Sequence, residues 1–265
     1  MDLLEQFSNI KFYLLGSYPQ GEIGGLLLNI ILAVLTICLS FWFGVLLGYS
    51  RLSCRLYIKL PCMAYIETIR ATPLIMIIFW IYFFLPYIAG TNITVFWSAV
   101  ASLCIYAAAY QAEIVRAGII AVPKGQLEAA LSTGMSRYRA MRHVILPQAF
   151  RIMVPSFLSF FVSLFKDTST VFIIGVIELT QAGIIISQRE PNKMYAAYVC
   201  MGLGFWIVSF SISQLARRLE KRIGIFDLES YRPDACRDEF MLLPKKKVTG
   251  EETGPDMSCR SADSR

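Results

Sequence analysis

Between Ile23 and Ser50 the chain carries no charged residue. That run exceeds the roughly 20 apolar residues that cross a bilayer core about 30 Å thick, and it predicts a first membrane-spanning helix. A second charge-free run lies between Arg70 and Glu113. It is long enough for two spans if the chain reverses midway, where Pro86, Gly90, Thr91 and Asn92 supply turn chemistry. Met194 to Ala216 forms a further span, closed by Arg217, Arg218, Lys221 and Arg222. The stretch after Arg151 is less regular. Its apolar run to Phe165 is shorter than a bilayer and is followed by Lys166 and Asp167, yet Ser169 to Ile177 is apolar again. The pattern predicts one more helix there, carrying two charges at or near membrane depth. The expected fold is an all-α membrane protein with five transmembrane helices.

Composition agrees. With 56% hydrophobic and 17% charged residues in 265, the chain holds more apolar surface than one soluble core can hide. The first span is too long for the apolar part of a signal peptide and lacks a basic n-region, so it is expected in the mature protein. The seven cysteines show no metal-type spacing and read as apolar filler. A net charge of +6 raises nucleic acid as a partner, but the basic residues are distributed as in a membrane protein. Most of them fall in 51–59, in 116–151 and after 217, which the positive-inside rule places in the cytoplasm. The N-terminus is then outside and the C-terminus inside. Three segments follow: an extracytoplasmic stretch 1–22, a transmembrane domain 23–226, and a polar tail 227–265 expected to be disordered. Lys245, Lys246 and Lys247 in that tail read as a solvated face or a lipid contact.

The longest polar stretch between spans, 122–147, reads VPKGQLEAALSTGMSRYRAMRHVILP. It is patterned as two short helices around a glycine. Glu128, Ala129, Ala130 and Leu131 favour helix, Gly134 can take the positive φ that ends it, and Ser136 can cap the next. Tyr138, Met141 and Ile145 recur at helical spacing as one apolar stripe, with Arg137, Arg139 and Arg142 on other faces. Such an element suits a partner's groove.

E-A-A-x-x-x-G, followed by nine residues and an aliphatic-x-L-P, resembles the cytoplasmic coupling motif of permeases from ATP-binding-cassette importers. Glu128, Ala129, Ala130, Gly134, Leu146 and Pro147 match, with Gly125 just before them; Val144 replaces the usual isoleucine. Further stretches are similar to the polar amino-acid permeases of the histidine and glutamate type: Arg70-Ala71-Thr72-Pro73-Leu74, the segment 109–119, Val122 to Gln126, and Lys166-Asp167-Thr168-Ser169. The similarity runs from about Gly25 to Arg222 and departs at Thr170, where leucine is usual. The resemblance implies a type I importer permease fold, multi-pass in the cytoplasmic (inner) membrane, with coupling helices between spans three and four. It also implies two ATPase subunits, a second permease subunit (a homodimer or a heterodimer), an extracytoplasmic binding protein, and an amino-acid substrate moved by alternating access. The stretch 73–86 and the region around Pro155 most resemble glutamate/aspartate members. No nucleic acid is expected as a partner, nor a cofactor in this chain: ATP is expected on the partner, and the sequence contains no GxxxxGK[ST] phosphate loop.

Charges at membrane depth cost at least about 2.5 to 3.5 kcal/mol unless paired or wetted, so each needs a partner or a task. Glu113 and Arg116 stand at i and i+3 and can pair; Glu113 could equally meet an α-ammonium. Lys166 and Asp167 diverge by roughly 100° and must serve different neighbours, either lining a pathway with Thr168 and Ser169 or fastening the helix to the bundle. Arg70 precedes Thr72-Pro73, where proline removes a donor and bends the helix, and it reads as a carboxylate site or a scaffold. Pro155 suggests another bend. The sole histidine, His143, has no second ligand at metal spacing and no catalytic triad around it, so no catalytic or metal site is expected. The rival class is an ion-coupled secondary transporter or channel, whose mark would be an inverted internal repeat; no motif recurs.

Overall fold

In a computed structural model, residues 10–17, 21, 23–53, 55–90 and 93–222 are described. The tail 227–265 and the turn residues Thr91 and Asn92 lie outside them, as does most of 1–22. The described chain is helical: α1 Gly25–Arg51, α2 Leu56–Ala71, α3 Leu74–Ala89, α4 Val95–Ile120, α5 Lys124–Ser132, α6 Arg137–Ala140, α7 Leu146–Asp167, α8 Leu179–Arg189 and α9 Met194–Arg222. Four described helical segments are long and apolar enough to cross a membrane: α1, α4, the continuous stretch Arg137–Ile174, and Met194–Glu220. α2 and α3 together make a fifth if they count as one bent span.

The second span differs from expectation. The polar connection after Arg51 is helical as α2, and the axis turns by 109° before α3. Arg70 therefore ends α2 and does not sit inside a straight span. Thr72 is extended, φ −95° and ψ 132°, as the residue before a proline prefers.

The segment after Arg151 differs too. α-Helix ends at Asp167, and Thr168–Ile174 tightens into a 3-10 turn closed by Gly175. Thr168 Oγ1 donates to Phe165 O at 2.7 Å, and the β-branched residues that follow disfavour α-helix.

α1 packs most extensively on α4. Asn29, Ala33, Thr36, Ser40, Gly44 and Gly48 form its buried stripe. Small residues let membrane helices approach closely: a Cβ on Gly44 would lie 2.6 Å from Gln111 Cβ, and one on Gly48 2.5 Å from Ala112 O. Two apolar clusters hold the ends of the bundle. One gathers Leu28, Leu32, Ile78, Leu103 and Val171 around the start of α1. The other gathers Val115, Ile119, Ile145, Ala149 and Met153 around the end of α4 and the start of α7. α1 and α4 thus run parallel and α7 antiparallel to them. Trp42, Trp80, Tyr87 and Trp206 remain exposed on the outside of the bundle, the side a bilayer would cover.

Candidate functional site

The segment 122–147 folds as its pattern predicts, with one change. Pro123 precedes α5, Gly134 takes φ +82°, and Ser136 Oγ accepts from Arg139 N at 3.4 Å to open α6. The second helix is not a separate short piece. It continues through a π turn, Met141–Ile145, into α7. Pro147 lacks an N–H and would crowd the carbonyl four residues back, and the wider turn accommodates both. Only part of the apolar stripe is buried: Ile145 packs into the cluster with Val115, Ile119 and Met153, whereas Tyr138 is 68% exposed. Of the motif residues, Ala130 is buried, while Gly125, Glu128, Ala129, Gly134 and Pro147 are exposed and Leu146 is half-buried. Gln148 Nε2 donates to Gln126 Oε1 at 3.3 Å, tying the base of α5 to α7. His143 is exposed, with Nδ1 3.1 Å from Arg139 O.

Above this segment, Glu113 is the centre of a charged cluster. The expected pair with Arg116 is present, and two more guanidiniums join it. Arg51 Nη1 donates to Glu113 Oε2 at 2.7 Å and Arg51 Nη2 to Glu67 Oε1 at 2.8 Å. Arg70 is the distant member, 3.7 Å from Glu113, with its side chain 40% exposed and stacked 5.5 Å above the Tyr110 ring. Arg70, Tyr110, Glu113, Met153 and Ser156 line a cavity of about 310 Å³. Thr72, at the break beyond Arg70, gives its hydroxyl to Thr68 O.

Helical spacing explains why Tyr110 is there. Tyr106, Tyr110, Glu113 and Ala117 follow one another at i, i+4, i+7 and i+11 on α4, on the face turned away from the α1 contact. None of the four is buried, unlike Ala107, Ala108, Gln111, Ala112 and Val115 on the α1 side. The Tyr106 and Tyr110 rings lie 4.6 Å apart, and Tyr110 stacks on Phe160 of α7 at 5.8 Å. Asp167, half-buried at the end of α7, lies within electrostatic reach of Tyr106. A polar and aromatic track therefore runs along α4 from Asp167 through both tyrosines to Arg70 and Glu113.

The candidates of the Lys166–Ser169 segment separate. Lys166 is exposed and Ser169 half-buried. Thr168 is fully buried, accepting from Asn29 Nδ2 at 3.0 Å. The same amide donates to Glu178 Oε2 at 2.9 Å, and Asn29 Oδ1 accepts from Leu179 N at 3.0 Å. Glu178 in turn caps α8 by accepting from Thr180 N and Gln181 N. The sequence pattern does not single out Arg51, Glu67, Asn29 and Glu178. Their partners lie up to 150 residues away, and no local spacing announces them.

Residues 40–225 match the family described as binding-protein-dependent transport system inner membrane component. The chain belongs to that family. GlnP of Bacillus subtilis strain 168, a probable glutamine ABC transporter permease, is 36% identical over 219 residues, covering 78% of this chain and 98% of its own. TcyB of the same organism, an L-cystine transport system permease, is 33% identical over 202 residues, covering 76% and 85%. Among solved structures, a crystal structure of an amino acid ABC transporter with histidines superposes with a TM-score of 0.74 at 32% identity, covering 84% of this chain and 99% of that one. An inward-facing MetNI methionine transporter shares the fold, with a TM-score of 0.55 at 21% identity. This permease is thus a non-catalytic, multi-pass inner-membrane component of an ABC system, on the polar amino-acid branch. ATP is bound by a partner ATPase, and a binding protein serves the complex.

Proposed function

We propose that this permease forms half of the translocation pathway of an importer for polar amino acids, with its N-terminus outside and its C-terminus inside, and that the track along α4 carries the substrate. The observation behind this is the unequal pairing at Glu113. Arg51 and Arg116 hold the carboxylate closely, which leaves Arg70 loosely attached and open to the cavity. A guanidinium offers a planar fork to a carboxylate, and Glu113 offers a negative charge to an ammonium. The two together suit a zwitterion. Arg51, Arg70 and Arg116 outnumber Glu67 and Glu113, so the cluster carries a surplus positive charge that favours an acidic side chain. Relatives are named for glutamine, for glutamate/aspartate import, and for glutamate/glutamine/aspartate/asparagine transport; glutamate or aspartate is the leading substrate. Lys166 and Asp167 stand nearer the outer end, where an amino acid would enter.

The coupling role falls to Gly125, Glu128, Ala129, Ala130, Gly134, Leu146 and Pro147. Their exposed members form a surface for one of two ATPase subunits, whose closure would reach α4 and α7 through the inner apolar cluster. A single set of five spans makes only half a pathway, so a second permease, identical or similar, completes it. The test is competition for uptake by the whole complex in proteoliposomes. Unlabelled glutamate and aspartate are expected to compete with labelled glutamate at lower concentrations than arginine or histidine. Arg70→Ala should raise KM about tenfold, the scale of one charge-assisted hydrogen bond. Stronger competition by the basic amino acids would remove the acidic assignment, and competition by none would remove amino-acid transport.

A further inference from the structure

Arg70 is attractive to a substrate only while no carboxylate of the protein neutralises it, and two are within reach. Glu113 is 3.7 Å away. Glu67 stands three residues before Arg70 on α2, the spacing at which side chains on a helix meet. In this structure neither carboxylate is bound to Arg70 at close range: Arg116 shares Glu113 with Arg51, and Arg51 takes Glu67 as well. One terminal nitrogen goes to Glu113 at 2.7 Å and the other to Glu67 at 2.8 Å.

Arg51 is placed for this at the last turn of α1, its side chain only 14% exposed, where α1 passes both α2 and α4. The contact with Glu67 makes little sense as an anchor for α2. Glu67 is 58% exposed, and exposed pairs contribute little to stability. α2 is held instead by Ile66, its one buried residue, and by Tyr65, whose hydroxyl donates to Ile105 O at 2.8 Å. A guanidinium suits the task because its rigid fork presents separate N–H edges to two carboxylates at once.

We infer that Arg51 is a positioning residue that keeps Arg70 available to the substrate by occupying Glu67 and Glu113. It does not touch the amino acid. Removing Arg51 lets Glu67 capture Arg70 across one turn of α2, so the cavity loses its free positive charge. The inference rests on the pathway reading above, and the two fail separately.

The test compares glutamate uptake by the assembled complex in proteoliposomes with Arg51→Gln, Glu67→Gln, the double variant and Arg70→Ala. Arg51→Gln should raise KM about fivefold with kcat unchanged, the signature of weakened ground-state attraction. Adding Glu67→Gln should bring KM back toward that of the parent, because one competitor for Arg70 is gone; two losses of structure would add. Arg51→Lys, the gentler change, keeps the charge but holds one carboxylate at a time, and its smaller rise should also be relieved by Glu67→Gln. An unchanged KM in Arg51→Gln overturns the inference, and so does a rise that Glu67→Gln leaves in place or worsens. An unchanged KM in Arg70→Ala removes the pathway reading itself.

Discussion

At one end of α1, Arg51 faces two carboxylates while Arg70 and Arg116 crowd the same Glu113; at the other, Asn29 joins Thr168, Glu178 and Leu179 with no cation among them. The helix rise of 1.5 Å per residue separates the two by roughly 33 Å. Asn29, Thr168 and Glu178 are fully buried and joined by directional hydrogen bonds. Such a network fixes the start of α1 against the 3-10 turn and α8, because any rearrangement strands a buried polar group. The Glu113 cluster is partly open to a cavity and has more guanidiniums than carboxylates, with Arg70 its loosest member. The first fastens helices to one another; the second leaves a guanidinium facing a cavity, as the proposed pathway requires.

Glu113→Ala should have the largest effect. Breaking a buried ion pair costs about 3 to 5 kcal/mol, and with Glu113 20% exposed roughly 2 kcal/mol is expected here. Three guanidiniums would face one another, and purified complex should show both a lower Tm and lost uptake. Asn29→Ala should cost about 1 to 3 kcal/mol through stranded donors and acceptors. Its consequence differs in kind: Tm falls, while the surviving complex keeps its KM for glutamate. A raised KM with normal Tm would mean that the outer cluster, too, meets the substrate. Salt separates the two ends further, since raising ionic strength screens partly exposed charges and not buried neutral bonds. KM should rise with salt, whereas the Tm difference between Asn29→Ala and its parent should hold.

The smallest effect is expected at Glu178. Burial raises its carboxyl pKa above the ordinary value, against the opposing influence of hydrogen bonds from Thr180, Asn29 and Gln181. A carboxyl raised on folding contributes its stability at low pH and loses it as pH climbs through the folded value. Glu178→Gln removes the titration but turns one of the two acceptor oxygens into a donor beside the N–H groups it now caps, so it should be less stable than the parent near pH 5 and recover relative to it near pH 8. Scanning calorimetry at both pH values reads this, and a variant less stable at pH 8 than at pH 5, relative to the parent, would reverse the sign.

What the sequence made legible was local. Charge-free runs mark α1, α4 and α9, Gly134 and Ser136 mark the turn and cap between α5 and α6, and Glu113 with Arg116 is visible at i and i+3. What it hid was either long-range or dependent on competition between conformations. α2 carries Lys59, Glu67 and Arg70, too many charges for its length to read as a span, and Pro73 announces a bend without giving its 109°. At the start of the 3-10 turn, Thr168 is bonded to Asn29, 139 residues earlier. Tyr106 and Tyr110 sit in an apolar run where composition alone makes them ordinary, and only the burial of the opposite face of α4 by α1 sets them apart.

In the proposed coupling, work done by the ATPase enters this chain through the segment 122–147. Glu128 is exposed on α5 and takes part in none of the ion pairs or hydrogen bonds found among the described residues. Removing it should leave the fold and Tm of the permease untouched. The direct measurement is ATP-driven glutamate uptake by proteoliposomes carrying Glu128→Ala in the complete complex, with ATP hydrolysis and subunit content followed in parallel. Uptake should fall more than about tenfold while the complex remains folded, one missing charge-assisted contact to the ATPase being enough for that. Uptake equal to the parent, or uptake that proceeds without any ATPase subunit present, would contradict the coupling.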